Sequence, residues 1–494
     1  MSLSIDERMD LFDKYLERTH MDKKQYQYDG VKWCLNNELG KATTPNNVRG
    51  GFIADEMGLG KTIMMIGTFV GNYLPKTLIV LPPILIDQWF LQIYRTTGHK
   101  ALIYHGPNKK KITADALDKA IIVITSYGGI TMTKKQLKAY DKSIGYDTKP
   151  LHKIQWSRIV FDEAHHLRNK NNCYHSARLL QADIRWLVSG TPIQNRRKDF
   201  YNLCSILNLP TSFYTDPDNL NLLARLFILK RTKKQVGIEI PDIVVGKNII
   251  GWTNPREMEL SEEIHSALSF SNVSVSKCRH IVNMLSYKCP LALLVRARQS
   301  CILPKLLAPI ISELLFKLGI CLDFNNYKEA LNYSSKLDGV IHKILENKGN
   351  GNGKIIFCHF KEEINTIASR LYDGGISSIA IFDGRVSNAK RHDILSQKNE
   401  VLILQIQTRC EGLNLQEHYS EIYFVSPHWN PAVEEQAIAR CHRIGQTKEV
   451  SVTRFEMGNF IKDADQEVET RTVDNYVSSV QDFKRKIIDE IIKC

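Results

Sequence analysis

Short apolar runs of strand length recur along the chain, with room for a helix between each and the next. In the first half they fall at 51–56, 78–81, 121–125, 159–163 and 185–189, and in the second at 354–360, 379–383, 401–405, 421–425 and 450–454. Strand-like runs separated by helix-length segments are the pattern of a parallel sheet covered by helices. The pattern therefore predicts an α/β fold with two parallel-sheet lobes and a cleft between them. From about 199 to 336 the strand signal weakens and helical spacing takes over, as in Leu220-Asn-Leu-Leu-Ala-Arg-Leu-Phe-Ile-Leu229 and in 306–318. Asn347-Lys-Gly-Asn-Gly-Asn-Gly353 is a polar, flexible entry into the second lobe. At the end, Tyr476, Val480, Phe483, Ile487, Ile488 and Ile491 recur at helical spacing and predict an amphipathic helix packed on a lobe. The expected organisation is a helical extension over 1–20, a first lobe over 21–215, a helical insertion and linker over 216–335, a second lobe over 336–460 and a C-terminal bracing helix over 461–494.

Composition narrows the partner more than the fold. A chain of 494 residues with 43% hydrophobic and 24% charged residues is ordinary for a globular enzyme. Its formal charge of +13 favours a polyanion such as nucleic acid. The 11 cysteines form no C-x-x-C pair, and Cys278, Cys289 and Cys301 are too far apart for a compact zinc site, so no structural zinc is expected. No run approaches the ~18–20 apolar residues of a membrane span, and the N-terminus carries no signal-peptide core. Neither a membrane partner nor secretion is expected.

The chemistry begins at Gly58-Leu-Gly60-Lys61-Thr62, which follows one strand-like run and precedes the apolar helical stretch 63–70. Glycines let backbone N–H groups close on phosphate oxygens, Lys61 neutralises β/γ charge, and the Thr62 hydroxyl suits magnesium. The general G-x-x-x-x-G-K-T pattern fails at its first position, where Asp55 stands. About 100 residues on, Phe161-Asp162-Glu163-Ala164-His165 ends another strand-like run and sets two carboxylates at the carboxyl edge of a sheet. Asp162 can hold magnesium, and Glu163 can orient or deprotonate an attacking water. Hydrolysis of a nucleoside triphosphate, with ATP and Mg2+, is the expected chemistry.

The order of the further motifs resembles the SWI/SNF-type DNA-dependent ATPases of helicase superfamily two. Carrying the resemblance are Tyr26-Gln27-Tyr28-Asp29-Gly30, Ala54-Asp-Glu-Met-Gly-Leu-Gly-Lys-Thr62, Leu78-Ile-Val-Leu-Pro-Pro83 with Gln88-Trp89, Ile124-Thr-Ser-Tyr127, the Asp162–His165 box and Ser189-Gly-Thr-Pro-Ile-Gln-Asn195. In the second half they are Trp429-Asn-Pro431 and Gln436-Ala-Ile-Ala-Arg440-Cys-His-Arg443-Ile-Gly-Gln446. The resemblance implies RecA-like lobes, a nucleotide seat made by Gln27, Asp55, Glu56, Met57, Gly58, Leu59, Gly60, Lys61, Thr62 and Gly412, and Gln27 reading the adenine edge. It implies arginine fingers at Arg440 and Arg443, and coupling residues at His165, Gln194 and Gln436. Backbone contacts to DNA are implied near Thr125, Ser126, Lys170, His359, Lys361, Thr408 and Arg409. Arg298-Gln-Ser-Cys-Ile-Leu-Pro304 resembles a signature of the second-lobe insertion, whose start is also a buried helix by its composition.

Where the family has two glycines before Gly412-Leu-Asn414, this chain has Arg409 and Cys410, which puts a close backbone approach in question. The run Lys230-Arg231-Thr-Lys233-Lys234 resembles the family's linker, which places it near DNA or between lobes; Lys109-Lys-Lys111 reads as solvated surface. The favoured function is an ATP-driven translocase on double-stranded DNA that remodels or displaces bound protein, possible partners including nucleosomes or transcription machinery. The rivals are a strand-separating helicase or transcription-release ATPase, and a nucleic-acid-binding scaffold with a decayed ATPase. The engine consumes nearly the whole chain, so no chromatin-reading module is expected, and the form resembles compact viral members such as the baculovirus global transactivators. A nuclear location is expected from DNA as substrate alone.

Overall fold

The computed structural model describes residues 3–40, 44–141, 149–190, 197–273, 290–318, 324–386, 393–394, 397–406, 413–460 and 470–492. The chain divides into two compact units, Met1–Glu239 with Lys484–Cys494, and Ile240–Phe483.

The first unit is built on seven strands, β1 (Arg49–Ile53), β2 (Thr77–Leu81), β3 (Leu102–Tyr104), β4 (Ile122–Ser126), β5 (Gln155–Asp162), β6 (Gln181–Val188) and β7 (Ile228–Leu229). They lie in the order β3-β4-β2-β5-β6-β1-β7, and the paired neighbours are parallel. Period-2 geometry sends alternate residues of one strand to opposite faces. Leu78, Val80, Ile159 and Phe161 enter one core, while Ile79, Leu81 and Val160 enter the other. Burial on both faces is why these strands read as unbroken apolar runs. The N-terminal helix Ile5–Arg18 starts at a capping box, with Ser4 Oγ accepting from Glu7 N–H, and packs Met9, Phe12 and Leu16 into the second of these cores.

The second unit holds β8 (Ile243–Ile250), β9 (Gly353–Cys358), β10 (Ile379–Phe382), β11 (Val401–Gln405), β12 (Tyr419–Phe424) and β13 (Val450–Met457). Their order is β10-β11-β9-β12-β13-β8, again with parallel pairs. Ile356, Cys358 and Ile403 face one core, and Ile355, Phe357 and Leu402 the other. The expected fold class, α/β with two parallel sheets, is what the chain adopts.

Three strands escape the apolar pattern. β3 has three residues, and β7 takes the last two of a run that spells a helix, which the chain forms only over Leu220–Phe227. β8 falls in the stretch read as helical. It is an edge strand, largely exposed, and Gly246, Lys247 and Asn248 interrupt its apolar run. The helices around it behave as the spacing predicts, with Leu260, Ile264, Leu293, Ala297, Cys301 and Ile311 forming a core of their own that Val473 and Val477 complete.

The C-terminal helix spans Val473–Ile492; of the expected stripe, the side chains of Ile487, Ile488 and Ile491 lie outside the described residues, and Tyr476, Val480 and Phe483 are not its most buried positions. Val473, Val477 and Gln481 are buried at i, i+4 spacing, and Tyr476 stacks on Phe270 with ring centroids 3.9 Å apart. Phe483, expected to pack, is 65% exposed, because an inward line through 473, 477 and 481 turns position 483 outward.

Candidate nucleotide site

At the carboxyl end of β1 the chain turns through residues 54–60 into the helix Lys61–Gly71. Gly60 caps that helix at φ +79°, and a Cβ there would stand 2.3 Å from Gln27 Nε2. Only glycine fits this close approach in the left-handed region. Gln27 Nε2 donates to Leu59 O at 3.2 Å, so the expected adenine reader packs directly on the loop. The first N–H groups of the helix and the Lys61 ammonium make the loop a seat for anions. Lys61 Nζ is held at the loop by donating to Asp55 O at 2.8 Å and Glu56 O at 3.2 Å.

The acidic side chains of the loop point elsewhere. Asp55 is fully buried and forks onto Arg231, with Nη2–Oδ2 at 2.6 Å and Nε–Oδ1 at 3.2 Å. Glu56 pairs with Lys233 Nζ at 3.0 Å and accepts from Lys233 N–H at 2.8 Å. Backbone bonds from Ala54 N–H to Leu229 O and from Glu56 N–H to Arg231 O tie the same two stretches together. Asp55 and Glu56, expected at the nucleotide, instead brace the loop from behind. Arg231 and Lys233, expected near DNA or between lobes, are the braces. The order of two acids in one stretch and two bases in the other was a signal of this pairing, but the partners lie 176 and 177 residues apart.

β5 delivers the carboxylates. Asp162 ends the strand with one oxygen accepting from Trp89 Nε1–H at 2.7 Å and the other from Glu163 N–H at 3.0 Å. Tyr127 Oη donates to the Asp162 carbonyl at 2.7 Å. Burial, with Glu163 beside it, pushes the Asp162 carboxyl up to about 7, opposed by the Trp89 bond and by Lys61. Glu163 turns the chain at φ 50°, ψ 50°, a left-handed conformation that costs a non-glycine residue about 1–3 kcal/mol and clusters at functional sites. Its carboxylate lies 3.3 Å from His165 Nδ1, and the His165 ring stacks on His166 at 4.7 Å. At the end of β6, a Cβ on Gly190 would come 3.4 Å from Lys61 Nζ and 3.0 Å from Met57 Cγ. Three neighbouring strand ends thus converge on one point. Trp89 and Tyr127 were visible only as parts of longer motifs; their bonds to Asp162 were not.

In the second unit, Pro431–Ile438 is a helix capped by Asn430, and Arg440 and Arg443 follow it. Arg443 Nη1 donates to Asn414 Oδ1. The Nε of each arginine is buried and has no hydrogen-bond partner among the described residues. Burial, and then the neighbouring Arg440 charge, lower the Arg443 pKa. Gln436 is half-buried on the helix itself, and Gln446 is buried, its amide donating to Tyr419 O at 3.1 Å.

Residues 26–216 match the SNF2-related domain, and residues 335–445 match the helicase conserved C-terminal domain. The chain thus carries an SNF2-related domain followed by a helicase conserved C-terminal domain, as the helicase-like ATPases do. It is 27% identical over 518 residues to an uncharacterized ATP-dependent helicase of Mycoplasma pneumoniae, covering 99% of this chain but only 44% of that relative. It is 25% identical to a probable global transactivator of Orgyia pseudotsugata multicapsid polyhedrosis virus, covering 94% of this chain and 91% of the viral one. A solved SWI2/SNF2 ATPase core of Sulfolobus solfataricus, in complex with double-stranded DNA, aligns at 23% identity and TM-score 0.39 over 95% of this chain and 93% of that one.

Of the DNA contacts that the SNF2 resemblance implies, three side chains are engaged inside the fold. Thr125 is buried with its hydroxyl donating to Tyr104 O at 2.8 Å, and Ser126 Oγ accepts from Gly129 N–H at 3.2 Å and meets His105 Nδ1 at 3.0 Å. His359 is buried against Ser426 O, and burial holds its pKa well below the usual histidine value. These three hydroxyl and imidazole groups are internal fastenings. Lys170 and Lys361 are exposed, as a phosphate contact requires. Gln194, Thr408, Arg409, Cys410 and Gly412 lie outside the described residues. Arg298 of the insertion signature is buried, donating to Pro427 O at 2.9 Å and lying 5.2 Å from the Trp429 ring centre. Among the described residues no group of His, Cys, Asp and Glu could hold a metal by itself, and no helix is long and apolar enough to cross a membrane.

Proposed function

We propose that the chain is an ATP-driven motor on double-stranded DNA that displaces or remodels bound protein. The convergence of Lys61, the Asp162–Glu163 pair and Gly190 at adjacent strand ends carries this reading. Lys61 and the N–H groups of the loop bind the β- and γ-phosphates, whose charged oxygens are stronger acceptors than the carbonyls of Asp55 and Glu56 to which Lys61 donates. The Thr62 hydroxyl and the Asp162 carboxylate are hard oxygen donors suited to Mg2+, the ion bound together with substrate phosphates. When bound, the ion neutralises charge developing on the phosphate oxygens. Glu163 orients the attacking water, and Trp89 and Tyr127 hold Asp162 steady beside it. Arg440 and Arg443 stabilise the transition-state charge on the γ-phosphate.

Exposed Lys170 and Lys361 and the charge of +13 support a sequence-independent grip on the phosphate backbone. Remodelling of nucleosomes or transcription complexes in a nucleus is the biological setting this activity fits. The test compares ATP turnover with linear duplex, single-stranded DNA, RNA and nucleosomes, alongside triplex and strand displacement on one duplex. Stimulation by duplex, with triplex displaced and strands left paired, is the expected result. Strand separation would point to an unwinding helicase, and turnover indifferent to any nucleic acid would overturn the motor. Neutralising about six phosphates predicts that log K falls against log salt with a slope near −5.

A further inference from the structure

The segment 426–430 leads from β12 into the helix Pro431–Ile438, and the C-terminal helix holds it in place by hydrogen bonds. Gln481, 2% exposed, sends its amide N–H groups to His428 O and, at 2.7 Å, to Glu434 Oε1. Glu434 is fully buried and also accepts from His428 N–H and Arg454 Nε–H, both at 2.8 Å. Two turns earlier Asp474 pairs with Lys336, whose ammonium also reaches Ser426 Oγ. Asn430 Oδ1 caps the helix on Ala432 N–H at 3.2 Å, so the placement of the segment sets where the helix begins. A buried carboxylate held by three donors has one low-energy arrangement, and losing a donor leaves an acceptor to be satisfied by a shift. Arg440 follows this helix after only one further residue, Ala439.

We propose that Gln481 is a positioning residue for the reaction: by joining His428 and Glu434 it sets the register of the helix that presents Arg440 and Arg443. This rests on the reading that the two arginines act on the γ-phosphate. It assigns the C-terminal helix a part in turnover, where packing alone would give it a part only in stability.

The test uses the full chain and the variants Gln481→Met, which keeps the volume and removes the donors, and Gln481→Asn, which keeps an amide too short to span both acceptors. Should Gln481→Met fail to fold, Gln481→Asn carries the comparison. Per folded molecule, DNA-stimulated kcat falls at least about tenfold, the scale expected when a reacting group is displaced by a fraction of an ångström to an ångström. Affinity for a fluorescent ATP analogue, set by the phosphate loop, stays within about twofold. In an Arg440→Ala background, followed by single-turnover hydrolysis, the Gln481 substitution adds no further loss, because residues acting as a unit are not additive. Wild-type kcat in the folded Gln481 variants, or an undiminished loss in the Arg440→Ala background, overturns the proposal. If Arg440→Ala itself turns over normally, the arginine reading fails, whatever Gln481 does.

Discussion

Around 231–233 the cations face inward: Arg231 forks onto buried Asp55, and Lys233 meets Glu56. At 440–443 two half-buried arginines lie near each other, Arg443 donates to Asn414 Oδ1, both Nε atoms are buried without a hydrogen-bond partner, and among the described residues no carboxylate pairs with either. The first arrangement is internally neutral and braces the loop proposed to bind phosphate. The second leaves two half-buried positive charges without a carboxylate among the described residues, the arrangement that the proposed contact with the γ-phosphate calls for. Run lengths of Lys and Arg in the sequence do not distinguish the two.

The largest effect that would sharpen this contrast comes from the loop's own chemistry. Lys61→Ala or Glu163→Gln is expected to abolish ATP hydrolysis while circular dichroism and the unfolding midpoint stay near wild type, since the Asp55–Arg231 and Glu56–Lys233 pairs that hold the loop remain. Turnover surviving in either would detach the loop from the reaction. Next in size is Arg231→Ala, which leaves Asp55 buried and unpaired and should lower stability by about 3–5 kcal/mol in urea unfolding. Asp55→Asn combined with Arg231→Met should restore part of that loss; if Arg231→Ala is neutral, the inward cations are not braces. Phe483→Ser marks the small end, within about 0.5 kcal/mol of wild type, because the ring is largely exposed. A larger loss would mean that the ring packs as the helical stripe suggested.

What could be read from residues alone follows the range of the interactions. The candidate phosphate loop could be named from the sequence because its glycines, Lys61 and Thr62 fall within five residues, 58–62. The sheets were legible because burial on both faces writes continuous apolar runs. β8 was hidden because an exposed edge strand needs no such run, and Gly246 and Lys247 break the one it has. The braces of Asp55 and Glu56, and the hold of Trp89 on Asp162, join residues 73 to 177 positions apart and leave no local trace. The internal bonds of Thr125, Ser126 and His359 were not legible because a hydroxyl or imidazole at a strand end serves a backbone carbonyl, a helix cap or a ligand equally well. The C-terminal helix was located by its periodicity, but over 473–483 the polar anchors Asp474 and Gln481 share the buried face with Val473 and Val477.

The most direct test follows single-turnover ATP hydrolysis in the presence of duplex DNA, with nucleotide affinity and unfolding midpoint measured on the same preparations of wild type, Arg440→Ala, Arg443→Ala and Arg443→Lys. The account predicts that both alanine variants lose about 10³-fold or more in rate at nearly unchanged affinity and midpoint. Arg443→Lys should recover little, because an ammonium cannot reproduce the planar guanidinium fork. Near-wild-type hydrolysis in both alanine variants, or a loss that tracks the unfolding midpoint, would contradict it and make these two arginines ordinary parts of the fold.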